Sequence, residues 1–454
     1  MPKTTGESKI SCESRRAFLG TVAGAAMAAA APSTPRKLPN IVLILFDMCR
    51  RDALGCYGVK QVHTPNIDRL AAAGVRFDNC YTPQALCGPA RASIITGLHP
   101  HAHGVEKNVY PTRGLDYDRF EDPLPNPFLE SRFHLSNNFP YFLLNAGYET
   151  AQIGKWHLGI GNPGFFNTWK GFNSLLPHWI GQPHESEYRS DVQTGDALDF
   201  IERNASRRFF LYQSYYTPHT PNDPPKKFLD LYRGRNDPHA AYHATVTNLD
   251  WNVGRIVGAL EKHKLLDNTL VILSADHGRA WDGRQGTKNG YCIAYDEAAR
   301  IPLIMRCPAL LPGGIVWRAG ASLVDLAPTI LEAANIRPFP THGRSLLGEI
   351  RAGRDEWTRP VVIENVSGKA INGFLFRERA IRTSRWKMIL RKFDAGNERA
   401  DELYDMERDS GETRNQFSSP ESRPVIRELA AMLRKWGEET ADPLAVEIAT
   451  RSLT

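Results

Sequence analysis

The run Asn40-Ile41-Val42-Leu43-Ile44-Leu45-Phe46 constrains the fold more than any other stretch of this chain. Seven residues dominated by branched apolar types predict a strand buried on both faces, as in a parallel sheet; a half-solvated strand would alternate apolar with polar. The run stops at Asp47, which puts a carboxylate at the carboxyl end of a central strand. Open α/β sheets bind their ligands at that edge. Similar runs recur at 208–212, 269–273 and 301–305. Between them, apolar periodicity predicts helices over 66–73, 89–96, 192–204, 241–263 and 325–333. Strands and helices in alternation predict a layered α/β domain with helices on both faces of its sheet.

The texture changes near 352–356. Short strand-like pieces at 360–364, 379–383 and 387–390, then an amphipathic helix over 424–436, predict a small antiparallel sheet with one helix. The expected organisation is a signal peptide over 1–31, a catalytic α/β domain over 38–350 and a C-terminal α+β subdomain over 351–454. Residues 108–140 carry Pro111, Pro123, Pro125, Pro127 and Pro140 and show no periodicity. They read as an irregular insertion, either a loop over a pocket or a plain surface excursion.

Ser14-Arg15-Arg16-Ala17-Phe18-Leu19, followed by an Ala-rich apolar run to Ala31, reads as a Tat-type export signal. The run is too short and too rich in Ala and Gly for a stable membrane anchor. The chain is therefore expected to be exported, periplasmic or extracellular, with the Tat translocase as a partner. Its net charge is +6, and the first 31 residues contribute four basic and two acidic side chains, leaving +4. That suits an anionic substrate and lies far below the basic footprint of a nucleic-acid binder. The seven cysteines contain no Cys-x-x-Cys pair or zinc-type spacing, which argues against structural zinc.

The most specific segment is Leu86-Cys87-Gly88-Pro89-Ala90-Arg91-Ala92-Ser93-Ile94-Ile95-Thr96-Gly97. Pro89 suits the first turn of a helix, where its missing N–H is no loss. Cys87 then sits at a helix N-terminus, whose unpaired N–H groups favour an anion, and Arg91 reaches the same spot one turn on. Cys-Gly-Pro-Ala-Arg followed by Ala-Ser-Ile-Ile-Thr-Gly resembles the Cys-x-Pro-x-Arg signature of the type I sulfatases. The resemblance extends along most of the chain. It covers Pro39 to Asp47 with Leu54-Gly55-Cys56-Tyr57-Gly58, and Ile153-Gly154-Lys155-Trp156-His157-Leu158-Gly159. It continues through Thr217-Pro218-His219, Ala275-Asp276-His277-Gly278, Tyr295 to Ile304, and Leu403-Tyr404-Asp405.

The resemblance implies an alkaline phosphatase-like fold: a large mixed, mostly parallel sheet sandwiched by helices, with a smaller C-terminal antiparallel sheet plus helix. It implies a calcium-dependent sulfuric ester hydrolase in which Cys87 is oxidised to formylglycine by a formylglycine-generating enzyme. A thiolate suits soft metals, whereas calcium prefers the oxygen that a hydrated aldehyde presents. The family mechanism then implies attack on sulfur, release of the alcohol, and elimination of sulfate driven by the second hydroxyl. By the same resemblance Asp47, Cys87 and Asp276 are metal ligands, and His277 is a ligand or close neighbour. Arg91, Lys155 and His157 would hold the sulfate and the diol. His219 would hydrogen-bond or protonate the leaving oxygen.

Two positions depart from the family pattern. Met48 stands where many members carry a second Asp or a Gln, so the site has one oxygen fewer or borrows one. Lys288 is carried over as the downstream catalytic lysine, although it lies further from Tyr295 than the family spacing. The expected substrate is a sulfate ester, carbohydrate-borne. Two other readings are a phosphonate or phosphodiester hydrolase of the same superfamily, and a non-catalytic binder of sulfated glycans.

Overall fold

A computed structural model describes residues 37–109, 137–159, 161–173, 187–281, 290–366, 376–393 and 401–453. The expected signal over 1–31, Lys288 and most of the Pro-rich insertion lie outside the described residues.

The main sheet is built from β1 (Asn40–Phe46), β2 (Val75–Tyr81), β3 (Glu149–Lys155), β4 (Thr168–Phe172), β5 (Phe209–Ser214), β6 (Thr269–Ala275), β7 (Arg300–Arg306), β8 (Ile315–Trp317) and β9 (Ala321–Ser322). Their spatial order is β4-β3-β5-β1-β6-β7-β2-β8, with β9 paired to β2. All seven residues of β1 are buried, as its unbroken apolar run requires. It lies parallel to β5 on one side and β6 on the other, and β3 and β4 continue the parallel array. β7 runs antiparallel to both β6 and β2, which makes the sheet mixed.

Helices α1 (Pro65–Ala72), α2 (Cys87–Thr96), α3 (Pro100–His103), α4 (Phe139–Asn145), α5 (Arg189–Arg203), α6 (Ala240–Lys262) and α7 (Leu326–Ala333) accompany it. Every residue of α2 is buried, so it shows no apolar stripe and announces itself by its ends alone. It begins at Cys87, two residues before the expected start, and stops at Gly97, whose φ of 66° and N–H to Ser93 O form a left-handed cap.

Four further strands, β10 (Val361–Val366), β11 (Phe376–Arg382), β12 (Trp386–Phe393) and β13 (Glu402–Asp405), form a separate antiparallel sheet in that order. Two helices pack with it, α8 (Arg423–Thr440) and α9 (Pro443–Arg451), where the sequence predicts one. Ala441 ends α8 at φ 59°, and the Asp442 side chain accepts from Leu444 N and Ala445 N to start a new helix on Pro443.

Candidate active site

Because β1, β3, β5 and β6 are parallel, their carboxyl ends meet at one edge of the sheet. Asp47 follows β1, Asp276 follows β6, and Lys155 and Ser214 are the last residues of β3 and β5. The N-terminus of α2 brings Cys87 to the same edge. Its Sγ lies 3.2 Å from His277 Nε2, 3.3 Å from Lys155 Nζ and 3.8 Å from Asp47 Oδ1. Ligand atoms of Asp47, Cys87, Asp276 and His277 all fall within 4.8 Å of one another, and all four residues are buried.

Arg91, one turn into α2 and 1% exposed, ties this edge together. Its Nε donates to Asp276 Oδ2 (3.0 Å), and one terminal nitrogen lies 2.9 Å from both Asp47 Oδ2 and Asp276 Oδ2. The other donates to Lys155 O (2.7 Å) and Ser214 Oγ (2.6 Å). Such a forked cation fixes the spacing of two carboxylates that would otherwise repel. Lys155 Nζ also contacts Asp47 Oδ2. Burial opposes an ammonium there, yet Asp47 outweighs it and holds Lys155 charged. Burial likewise opposes charge on Asp47, but Lys155, His219 and Arg91 hold it far below the usual carboxylate range.

Backbone choices near the edge are tight. Gly154 has φ 94°, and a Cβ there would stand 1.9 Å from Ser214 O, so β3 and β5 approach this closely on a glycine alone. Met48 (φ 58°) and His157 (φ 60°) are left-handed without being glycine, a strained state typical of functional sites. Met48 contributes backbone: its N–H donates to Asp276 Oδ1 at 3.1 Å and its carbonyl accepts from Tyr242. The N–H of His277 donates to the same Asp276 oxygen at 2.8 Å, so one carboxylate oxygen is fixed by two backbone donors.

His277 Nδ1 faces Gly278 O at 2.8 Å. That carbonyl can only accept, so the network assigns a proton to Nδ1 and leaves Nε2 as the ring atom that faces Cys87. His157 is buried, and burial together with Lys155 and Arg91 keeps it neutral. His219 is half-buried on the loop after β5; its Nδ1 lies 2.8 Å from Thr220 O. Burial lowers its pKa, Asp47 works the other way, and Lys155 adds to the lowering.

The donor set fits a divalent cation with one exception. Two carboxylates and an imidazole suit it, and Arg91 with the Met48 and His277 amides aligns the carboxylates. The misfit is the thiol, which burial and Asp47 push well above its usual pKa, so Cys87 offers a protonated sulfur. An oxygen in that place removes the mismatch. The structure thus gathers Asp47, Cys87, Arg91, Lys155, Asp276 and His277 in direct contact and places His157 and His219 within electrostatic reach. Ser214 and Tyr216 also belong to this edge and escape sequence reasoning. The apolar run that marks β5 ends at Tyr212, and position on the sheet edge, the one signal for Ser214, needs the observed strand end.

The mixed, mostly parallel sheet with a buried acidic cluster at its carboxyl edge and a separate antiparallel sheet is the alkaline phosphatase-like fold that the sequence motifs imply. A sulfatase profile matches residues 39–336, and the profile of the C-terminal region of N-sulphoglucosamine sulphohydrolase matches 291–439. The chain belongs to the sulfatase family and is a sulfuric ester hydrolase. It is 27% identical to an arylsulfatase of Clostridium perfringens, over 87% of this chain and 94% of that protein. It is 26% identical to an N-acetylglucosamine-6-O-sulfatase of Bacteroides thetaiotaomicron, over 92% and 90%. A solved structure bound to its substrate D-glucosamine-2-N,6-O-disulfate superposes with a TM-score of 0.74 at 25% identity, covering 90% of this chain and 99% of that one.

Proposed function

We propose that the protein is an exported, calcium-dependent sulfatase that hydrolyses a sulfate ester on a carbohydrate, with Cys87 matured to formylglycine. The observation that carries this reading is the convergence on Cys87 Sγ of His277, Lys155 and Asp47 within 3.8 Å. The sugar sulfates named for two of its relatives support the carbohydrate part. In this reading 38–350 is the catalytic domain and 351–454 the C-terminal subdomain.

Asp47, Asp276, His277 and the oxidised residue 87 would hold the calcium ion. Bound there, the ion supplies charge that favours an ionised hydroxyl and polarises the sulfuryl oxygens. Formylglycine supplies paired oxygens, which a thiol lacks. The remaining chemistry belongs to the chain's own side chains. Lys155, held charged by Asp47, neutralises sulfate oxygen. His157, held neutral, orients the oxygens on residue 87. Arg91 acts through the carboxylates that it aligns, since its donors are engaged by Asp47, Asp276, Ser214 and the Lys155 carbonyl. His219 presents Nε2 to the leaving alcohol oxygen; its lowered pKa makes the protonated ring a stronger acid. Lys288 is assigned to the sulfate by resemblance.

Among the described residues no helix is long and apolar enough to cross a membrane. Export rests on the twin-arginine segment. Tat translocase carries folded proteins, so formylglycine-generating enzyme would act on Cys87 before folding, in the cytoplasm. Two measurements test the whole reading. Peptide mass spectrometry of the segment around Cys87 should find an aldehyde; an unmodified thiol in active enzyme contradicts it. Sulfate release from defined sulfated sugars should exceed phosphate or phosphonate ester turnover on the same preparation, and the reverse order assigns the other bond.

A further inference from the structure

The ring of Tyr216 packs against two of the sulfate-handling groups and also against a cation that none of the roles above employs. Lys155 Nζ lies 5.1 Å from the ring centroid, and the His219 ring packs against Tyr216 with centroids 4.6 Å apart. The guanidinium carbon of Arg189 lies over the same ring at 5.0 Å. Arg189 is the first residue of α5, and its neighbour is anchored: Ser190 Oγ and Thr217 Oγ1 share a 2.7 Å hydrogen bond, two residues before His219. The Tyr216 hydroxyl donates to Thr220 O at 3.1 Å, on the far side of His219. Arg189, Tyr216 and His219 are thereby held as one block.

Arg189 is half-buried, and among the described residues no carboxylate pairs with it. A guanidinium stacked on an aromatic face is held in orientation while its in-plane N–H donors stay available, a geometry that suits a carboxylate or a sulfate. We propose that Arg189 is a specificity residue that receives a second anionic group of the substrate, so that the enzyme prefers sugars carrying a carboxylate or a second sulfate besides the ester it cleaves. The inference rests on the assignment of His219 to the leaving oxygen. The sugar attached to that oxygen lies beside His219, hence beside the ring on which Arg189 is stacked.

The test uses the full matured protein and four probes: N-acetylglucosamine 6-sulfate, glucosamine with N- and 6-O-sulfates, a uronate-containing disaccharide 6-sulfate, and nitrophenyl sulfate. Sulfate release gives kcat/KM for each. The readout is the ratio of doubly to singly charged sugar. In Arg189→Gln that ratio should fall about 10- to 100-fold, the range for losing one charge-assisted hydrogen bond, and mainly through KM. Arg189→Lys should recover part of it, and added salt should lower the wild-type ratio. Comparing the uronate with the disulfate separates the two sources of charge. An unchanged ratio in Arg189→Gln, with sugars still desulfated, overturns the role of Arg189 alone. Turnover of nitrophenyl sulfate with none of the sugars overturns the carbohydrate reading and the proposal together.

Discussion

Cys87 stands where a thiol does little chemistry. Burial first, and Asp47 second, push its pKa well above the ordinary range, so the nucleophilic thiolate is suppressed. Lys155, at 3.3 Å, and Arg91 work the other way, and they would meet the charge of an oxygen nucleophile in that place. Cys87→Ser keeps one oxygen and loses the second. The variant should therefore accept a sulfo group and fail to release it, which intact-protein mass spectrometry reads as a stable single-sulfo increment. Sustained turnover by that variant contradicts the paired-oxygen chemistry. Asp276 offers a second test at this scale. Asp276→Asn keeps an oxygen for the Met48 and His277 amides (3.1 and 2.8 Å) but removes the charge that pairs with Arg91. Metal content measured by elemental analysis should drop, and kcat/KM should fall more than about 100-fold, since even outer partners of a metal ligand are worth 10- to 100-fold. Full metal occupancy in Asp276→Asn would remove Asp276 from the ligand set.

At the scale of elements, β3 escaped the pattern, since Glu149-Thr150-Ala151-Gln152-Ile153-Gly154-Lys155 is buried from Thr150 onward without being apolar, while β1, β5 and β6 were readable because burial on both faces writes an apolar run. β2 was not: Val75-Arg76-Phe77-Asp78-Asn79-Cys80-Tyr81 places polar residues at three positions and breaks its register between Phe77 and Cys80. The buried cluster was legible where motif and strand end coincide, at Asp47 and Asp276, and the contact that runs through a ring, from Arg189 to Tyr216, was not. α3 shows a further contact that no local pattern announces. His101 Nδ1 lies 2.6 Å from Glu364 Oε1 of β10, and Nε2 lies 3.0 Å from Thr440 O at the end of α8. Both partners are acceptors, so both ring nitrogens carry protons and the ring is a cation. Burial opposes that charge, but Glu364 outweighs it and raises the pKa above 6.5, with Asp442 adding to the rise. Arg379 shares Asp442 and Glu364, while His99 and His342, both held neutral by burial, stack nearby. A raised folded-state pKa stabilises fully below the unfolded value and loses that contribution as pH rises through the folded one. The melting-temperature gap between wild type and His101→Gln should thus be widest below pH 6.5 and narrow as pH climbs. A gap that is flat or widens with pH argues for a neutral ring.

Across the whole molecule, residues Leu38–Thr454 form one compact unit, and the two sheets are joined by charge buried between them. Lys387 of β12, fully buried, reaches Asp296 Oδ1 at 2.9 Å and Glu412 Oε1 at 2.7 Å. Asp296 starts the short turn of helix before β7, where Ala298 O accepts from Gly278 N at 2.7 Å, one residue beyond His277. Glu364 N of β10 donates to Pro83 O at 2.7 Å, just upstream of Cys87. The second sheet therefore braces both segments that deliver the cluster. Lys387→Met leaves Glu412 buried without its cation and Asp296 with only Arg300 at 3.7 Å and the charge of Arg382; breaking a buried ion pair costs about 3–5 kcal/mol, whereas an apolar replacement of a whole buried ion group is near neutral. The melting temperature of Lys387→Met should fall in a single transition, and activity should disappear along the same curve. Adding Asp296→Asn and Glu412→Gln to Lys387→Met should restore part of the loss, because no buried carboxylate is then left without Lys387, while Arg382 gives up the charge of Asp296 and Glu412. Two separate transitions, with activity following the later one, would instead mean that the small sheet melts independently and that the catalytic edge stands without its support.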